Sequence, residues 1–325
     1  SILGIFLLVV LYLSTIGIET KKFNQQIIDK VIQSNKDLNI VLKKVKLTLD
    51  PLKFQIKAKT IGATIYYLNR PLELDYIQTS VSLVSIFKNK FVSSNFKIVT
   101  KSILLKDLVK FARSITFRPE FLILETVIKD GSIILDLNLN LDQNGKIKND
   151  YEVKGILNDS KIKFLKNIDF KNINFLFNIK ENKYLFKDIK FSTDGANFNS
   201  DTLKITKLNN NHQIEGKIEN SKSILPRTLF KLLNLNLKKL DFEKTKFSSK
   251  NNFIFEIDKS FKVKNLKLAS KINFNQKIFK NKGYYSEYFP DLKKKLSLDN
   301  HNLELKFEKN ILSINGEGKI QVADS

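Results

Sequence analysis

The sequence of 325 residues contains no cysteine, methionine or tryptophan, and it has only two histidines, 11 glycines and 5 prolines. Without cysteine, disulfides, thiol nucleophiles, zinc fingers and iron–sulfur clusters are excluded. The histidines, His212 and His301, lie among polar residues near predicted strand starts and leave little for a metal site. The GxGxxG, P-loop, GxSxG and HExxH signatures are also missing. We therefore expect a protein that is not an enzyme and that holds neither a cofactor nor a metal.

Negative charge is scarce as well: 56 basic residues face 33 acidic ones, which gives a net charge of +23. Such a balance is typical of proteins that bind nucleic acid or an anionic membrane surface. The longest basic run, however, is only Lys293–Lys295, and the phenylalanines follow the apolar phase of the pattern, where they cannot stack on bases. We expect no nucleic-acid partner and attribute the charge to diffuse compositional bias. Binding of a polyanion stays open as an alternative.

The longest uncharged run lies at the start of the sequence. Residues 1–18 would span about 27 Å as a helix, close to the hydrocarbon thickness of a bilayer. We predict that residues 1–19 form a transmembrane anchor; a cleaved signal peptide and a buried core helix are the alternatives. The predicted anchor residues are Ile2, Leu3, Ile5, Phe6, Leu7, Leu8, Val9, Val10, Leu11, Leu13, Ile16 and Ile18.

A second helix is predicted over residues 20–36, because Phe23, Ile27, Ile28 and Val31 recur at helical spacing. Further on, apolar residues at helical spacing predict two more short helices. One contains Leu108, Phe111, Ala112 and Ile115, and the other contains Leu225, Leu229, Leu232 and Leu233.

From residue 37 onward the apolar residues recur mainly with a period of two. In one clear case, leucines from 135 to 141 alternate with Asp136, Asn138 and Asn140. Because successive side chains of a strand point to opposite faces, each strand has one apolar and one polar face. We predict a mainly β domain of antiparallel strands over residues 37–325. The apolar phase contains Ile133, Leu135, Leu137, Leu139, Leu141, Ile173, Phe175, Phe177, Phe253, Phe255, Leu303, Leu305 and Phe307.

Three glycines occupy similar positions inside alternating segments. Gly155, Gly216 and Gly316 each follow an apolar–polar alternation and precede a charged or polar stretch. A glycine inside a strand predicts a bulge or a bend, so we expect the sheet to be irregular at these three positions.

Several features, taken in chain order, carry a resemblance to a known family. The apolar segment Ile2–Ile18 leads into the predicted helix Phe23–Ile32, and a strand follows with the sequence LNIVLKKVKLTL, residues 38–49. Residues 61–103 continue as strand, loop and strand, and residues 131–164 repeat the alternating texture. In this order the chain resembles the AsmA-like superfamily of bacterial envelope proteins, the group that includes AsmA, TamB and YhdP.

The resemblance implies a single-pass anchor in the bacterial inner membrane, with the bulk of the chain in the periplasm. It implies an elongated, curved antiparallel sheet whose open groove, lined by the apolar phase, shields phospholipid acyl chains on their way to the outer membrane. It also implies that the sequence is the N-terminal part of a longer chain. The alternative is a membrane-anchored scaffold, built as a closed β-sandwich, that assists outer-membrane protein assembly through envelope protein partners.

Overall fold

The computed structural model describes residues 2–22, 24–34, 36–84, 95–115, 119–140, 148–164, 168–225, 245–260, 262–280 and 295–323. Strands account for 68% of these residues and pair in antiparallel fashion, and helices are few, so the predicted mainly β class is confirmed. The chain divides into two compact units. Unit 1 is Ser1–Leu157 with Asn178–Glu181, and unit 2 is Asn158–Phe177 with Asn182–Ser325.

The first helix, α1, is shorter than the predicted anchor. It runs from Ile2 to Thr15, 14 residues or about 21 Å. The chain then turns at Gly17, whose φ is +72°, and enters strand β1, Ile18–Thr20, which pairs with the segment Val45–Leu47. Among the described residues, no helix is both long and apolar enough to cross a membrane. The structure therefore does not support the transmembrane helix predicted over residues 1–19.

Unit 1 contains further helices and an antiparallel sheet. The helices are α2 (Asn24–Ser34), α3 (Leu105–Ile115) and α4 (Pro119–Val127), and residues 83–84 are also helical. The remaining strands are β2 (Leu38–Val41), β3 (Lys44–Asp50), β4 (Gln55–Ile61), β5 (Thr64–Tyr67), β6 (Arg70–Ser82), β7 (Asn95–Thr100), β8 (Ile103–Leu104) and β9 (Ile128–Asn140). The sheet order is β1–β3–β4–β6–β7–β9; β5 pairs with β6, β2 pairs with β5, and β8 pairs with β9.

The core of unit 1 lies between α2 and one end of the sheet. Its fully buried members include Ile40, Val45 and Leu74, and the apolar stripe of α2, with Ile27 and Ile28, packs against them. Helix α2 thus has the amphipathic character predicted for this part of the chain. The predicted helix around residue 111 is also present, as α3. The one predicted at residues 225–233 lies outside the described residues, apart from its first residue.

Unit 2 is built from strands that pair with their sequence neighbours. One tight turn lies between Thr193 and Ala196, which pair with each other. Asp194 and Gly195 within it both have positive φ, as a type I′ hairpin requires. The strands are β12 (Lys183–Thr193), β13 (Ala196–Lys207), β14 (Asn211–Ile224), β15 (Lys246–Asp258), β16 (Val263–Lys280), β17 (Lys295–Glu308) and β18 (Ile311–Ala323), together with parts of β10 (Glu152–Phe164) and β11 (Ile168–Lys180).

Asparagine and aspartate, rather than glycine, mark the irregular points of these strands. Positive φ angles inside strands occur at Asp159, Asn172, Asp188, Asn265 and Asn300. Short polar side chains tolerate this conformation better than other non-glycine residues.

The irregularity predicted at the strand glycines is present beside Gly216, because the register of β13 and β14 shifts between Asn199 and Leu203, the residue that pairs with Gly216. Gly316 pairs with the preceding strand in continuous register, so no bulge lies at this glycine. Both glycines make room for a cross-strand side chain. A Cβ atom at Gly216 would lie 3.2 Å from Cζ of Phe253, and one at Gly316 would lie 2.6 Å from Cδ2 of Leu303.

Candidate functional site: the apolar sheet face

In unit 1 the strand register gathers the apolar phase on one face of the sheet. Leu47, Ala58, Thr79, Phe96 and Leu139 lie directly opposite one another in a row across β3, β4, β6, β7 and β9. Directly paired residues of neighbouring strands point to the same side. We call this side the apolar face of unit 1. By alternation along β9 it also contains the predicted residues Ile133, Leu135 and Leu137, whereas Leu141 lies outside the described residues.

The opposite face of the same sheet carries cross-strand ion pairs. Nζ of Lys97 lies 3.0 Å from Oδ2 of Asp136, and this hydrogen bond raises the pKa of Lys97. On the neighbouring strands Nζ of Lys57 lies 2.9 Å from Oδ2 of Asp50, and its hydrogen bond lowers the pKa of that carboxyl group. Asn138, directly opposite Lys97, belongs to the same face. The sheet of unit 1 therefore has one polar, charge-paired face and one apolar face.

Unit 2 has an equivalent apolar face, and one row of it crosses seven strands. Directly opposed neighbours from β12 to β18 are Phe186, Leu203, Gly216, Phe253, Leu268, Phe307 and Leu312. Predicted residues Leu305 and Leu303 lie two and four positions along β17 from Phe307, and Phe255 lies two positions along β15 from Phe253, so all three share this face. We call it the apolar face of unit 2.

Aromatic contacts join the remaining predicted residues of unit 2 to this face. The ring of Phe175 makes edge contacts with Phe186, at 5.5 Å between centroids, and with Phe177, at 6.1 Å. Ile173, on the same strand, is buried. Four of the predicted residues therefore lie on the apolar face of unit 1, and eight lie on the apolar face of unit 2.

Sequence reasoning missed an aromatic cluster on the same face. Phe191 stacks on Phe198 with centroids 5.2 Å apart, and Phe198 lies 6.4 Å from Phe247, although a whole strand separates β13 from β15. Asp188, whose φ is +52°, interrupts the alternation along β12, so a period of two does not predict this cluster. Phe186 and Phe191 are an odd number of positions apart, yet both belong to the apolar face.

A band of small polar side chains interrupts the apolar face of unit 2. Asn220, Ser249 and Ser270 are almost completely buried there. Nδ2 of Asn220 donates to the backbone oxygen of Asn197 at 2.6 Å and to Oγ of Ser223 at 2.8 Å, so the amide ties two strands together beside a register shift. This band is part of the framework of the face.

Two cavities follow the rows of unit 2. One of about 810 Å³ is lined by the row Ser249, Ile272, Leu303 and Gly316, and one of about 450 Å³ is lined by the row of Phe253 and Phe307. Charged side chains of the other phase also line both cavities, among them Lys271 in the larger one and Lys267 in the smaller one. In the ranges that the structure describes, no three histidine, aspartate or glutamate side chains are grouped as metal ligands would be.

The apolar face of unit 1 is partly covered. Strands β2 and β5 and the first part of β6 form a ladder of their own, and Ile40 and Ile65 from this ladder pack in one cluster with Leu47 of the face. Helix α2 packs on the same cluster, and α3 contacts β9. In unit 2 most apolar-face side chains are partly buried among side chains of neighbouring strands, and at strand β18 Leu312 and Ile314 are more than half exposed.

Helix α1 exposes most of its apolar side chains, and a single stripe along Val10, Leu13 and Ser14 is partly buried. Nine predicted anchor residues are exposed, and the least exposed of them still shows 48% of its surface: Leu3, Ile5, Phe6, Leu7, Leu8, Val9, Leu11, Ile16 and Ile18. Val10 and Leu13 are partly buried, and the side chain of Ile2 lies outside the description. A helix that is apolar all round requires an apolar environment.

Comparison of the chain with protein-family models, with curated proteins and with solved structures finds no match. The AsmA-like resemblance therefore stays a prediction drawn from the sequence.

Proposed function

We propose that this protein is a non-enzymatic lipid-transfer protein of the bacterial envelope, with a sheet face that accommodates the acyl chains of phospholipid. The observation that carries the proposal is the strand register. It places Leu47, Phe96 and Leu139 on one face of unit 1, and Phe253 and Phe307 on one face of unit 2, and all five side chains are partly exposed.

An apolar face of this kind is energetically suited to acyl chains. Each methylene group moved from water to an apolar surface gains about 0.8 kcal/mol, so a two-chain lipid in water carries a large unfavourable free energy. Side chains such as Leu137 and Phe175 offer that surface, and the opposite face keeps the sheet hydrated through pairs such as Lys97–Asp136. Transfer along such a face requires no catalytic group, and the GxGxxG, P-loop, GxSxG and HExxH signatures are missing from the sequence.

Membrane attachment belongs to the same proposal. The fully apolar surface of α1 supports insertion of this helix into a bilayer. The AsmA-like resemblance favours the bacterial inner membrane as that bilayer and the periplasm as the location of both units. It also favours an elongated, curved arrangement of the sheet that would guide phospholipid toward the outer membrane.

Site-specific photocrosslinking tests the proposal with a control on the same strand. A photoreactive residue at position 139 lies on the apolar face, whereas one at position 138 lies on the polar face. We expect purified protein with the probe at Leu139 to crosslink phospholipid, and the same probe at Asn138 to crosslink little or none. Equal crosslinking at both positions, or none at either, would contradict the proposed lipid face. Native mass spectrometry would identify the bound lipid.

A second candidate function is a scaffold that binds a polypeptide strand during outer-membrane protein assembly. The observation in its favour is the apolar surface of β18, where Leu312 and Ile314 are more than half exposed. Exposed apolar side chains at alternate positions of a strand can contact an extended polypeptide. Replacing Leu312 and Ile314 by serine would remove this surface, so a loss of client-peptide binding with unchanged lipid crosslinking would favour the scaffold.

A further inference from the structure

The register of β1 shows at which end of the unit 1 sheet α1 enters. Ile18 pairs with Leu47 and Thr20 pairs with Val45, so the antiparallel strand β1, followed backward, runs toward Asp50. Beyond Asp50 lies the β3–β4 turn, residues 51–54, and the side chain of Asp50 accepts a hydrogen bond from the amide of Lys53 within it. Helix α1 and this turn therefore leave the sheet at the same end, which we call the turn end.

The turn end exposes apolar side chains that have no structural use in the described protein. Leu52 is 93% exposed and Phe54 is 68% exposed, and both lie in the turn itself. The amide of Leu83 donates a hydrogen bond to the backbone oxygen of Phe54 at 2.9 Å. The next residue, Val84, is 55% exposed. Turns in water favour polar residues and glycine. Lys53, between the two apolar residues, is exposed and adds a positive charge to the tip.

The two ends of the unit 1 sheet differ in how they are covered. At the opposite end α2 packs over Val45 and Leu74 and closes the core. At the turn end the continuing apolar phase, with Leu49 and Ile56 in direct register, lies outside that core cluster. Among the residues that the structure describes, α2 caps the apolar face at one end, and no helix packs over Leu49 and Ile56 in that cluster at the turn end.

We propose that the turn end is a second membrane contact, in which Leu52 and Phe54 insert into the surface of the bilayer that takes up α1. Lys53 then lies at the level of the lipid phosphates, as expected for a basic residue beside an inserted apolar pair. The inference rests on the membrane attachment by α1 that is proposed above, and it adds an orientation. The strands of unit 1 meet the bilayer at their turn end, so the uncapped end of the apolar face lies next to the lipid it receives.

Tryptophan fluorescence tests this contact directly, because the chain contains no tryptophan and one introduced residue is the sole indole. Leu52→Trp places the probe at the tip. Leu68→Trp is the matched control: Leu68 is also apolar, lies in a strand turn and is 57% exposed. It lies at the other end of β6, about 40 Å away along the strand. Leu8→Trp reports on α1 itself.

The probes are compared on vesicles of equimolar phosphatidylcholine and phosphatidylglycerol, with and without brominated acyl chains that quench nearby indole. We expect a blue shift and quenching for Leu52→Trp and Leu8→Trp, and neither for Leu68→Trp. Insertion of Leu8→Trp without Leu52→Trp would overturn the second contact and leave attachment by α1 intact. Failure of Leu8→Trp as well would overturn the attachment. Equal insertion of Leu52→Trp and Leu68→Trp would indicate general adsorption and overturn the orientation.

A partition measurement gives the second arm. Replacing Leu52 and Phe54 by serine removes two inserted side chains and should weaken binding to the same vesicles at least tenfold. Replacing Leu68 by serine should leave binding unchanged. Both positions are exposed in the folded protein, so an unchanged circular dichroism spectrum is expected for each variant. Equal partitioning of the two variants would overturn the proposal.

Discussion

The loss of unfolding free energy that an introduced charge causes in unit 1 distinguishes a lipid-accessible face from a sealed core. Leu74 and Leu137 belong to the same unit but differ in environment. Leu74 is fully buried beneath α2 in the core, whereas Leu137 lies on the apolar face opposite Ile98 and is only partly buried. Replacing each leucine by aspartate places the same carboxylate in a closed site and on the apolar face.

The expected losses of unfolding free energy for Leu74→Asp and Leu137→Asp differ by several kcal/mol. Removing a core leucine side chain costs about 2–5 kcal/mol, and an unpaired carboxylate without hydrogen-bond partners adds several kcal/mol more. Since a domain has a total stability of about 5–15 kcal/mol, Leu74→Asp should unfold most of unit 1. At Leu137 the carboxylate retains contact with water, and only part of the 1.5–3 kcal/mol of leucine burial is lost. We therefore expect Leu137→Asp to cost about 1–3 kcal/mol.

Urea denaturation followed by far-ultraviolet circular dichroism measures both variants. Asn138→Asp is the control for the added charge, because it lies on the polar face opposite Lys97 and should change stability by no more than about 0.5 kcal/mol. A loss at Leu137 as large as that at Leu74 would refute the reasoning. It would mean that the apolar face is sealed, as in a sandwich.

Three further predictions concern individual positions. Gly17→Ala should destabilise the α1–β1 junction by at least about 1–2 kcal/mol, because the φ of Gly17 is +72° and an added Cβ would overlap the backbone oxygen of Leu47 on the facing strand. Hydrogen exchange should detect this as faster exchange of the β1 amides, and an unchanged exchange rate would contradict the prediction. Glu304, whose pKa is lowered by its hydrogen bond from Lys271, adds stability that is fully present above its unfolded pKa of about 4.3 and is lost as the pH falls through its lower folded pKa. Wild-type protein should therefore lose more urea resistance than Glu304→Gln between pH 5 and pH 3, and equal losses would show that the pair is thermodynamically silent. Gly216→Ala should displace the ring of Phe253, detected as a changed phenylalanine environment by nuclear magnetic resonance, whereas an unmoved ring would show that the strand gives way instead.

The sequence predicted the strand class and the phase of most strands because alternation is a local signal. Leu135, Leu137 and Leu139 share a face simply because a strand has a period of two. The amphipathic stripe of α2 is equally local. The pairing of distant strands is a different matter. The row that joins Phe253 to Phe307 depends on registers set by turns and bulges far from either residue.

The failures of prediction follow from competition between conformations that sequence alone does not rank. Residues 16–18 continue an apolar helix by composition, yet Ile18 gains backbone hydrogen bonds in a strand beside Leu47, and Gly17 supplies the turn. Here a tertiary pairing decides the conformation.

The strand glycines and the acidic or amide residues with positive φ have different roles in the apolar faces. A residue with positive φ inside a strand can shift the phase of the side chains that follow it, which would turn apolar side chains to the other face unless the sequence shifts as well. In β12 the sequence does shift: Tyr184 and Phe186 precede Asp188, whose φ is +52°, and Ile189 and Phe191 follow it, while the pairing with β13 keeps one register throughout. Phe186 and Phe191 both contact aromatic side chains of the apolar face. The apolar surface therefore continues through the irregular point of the strand, which is the property that the proposed lipid path requires.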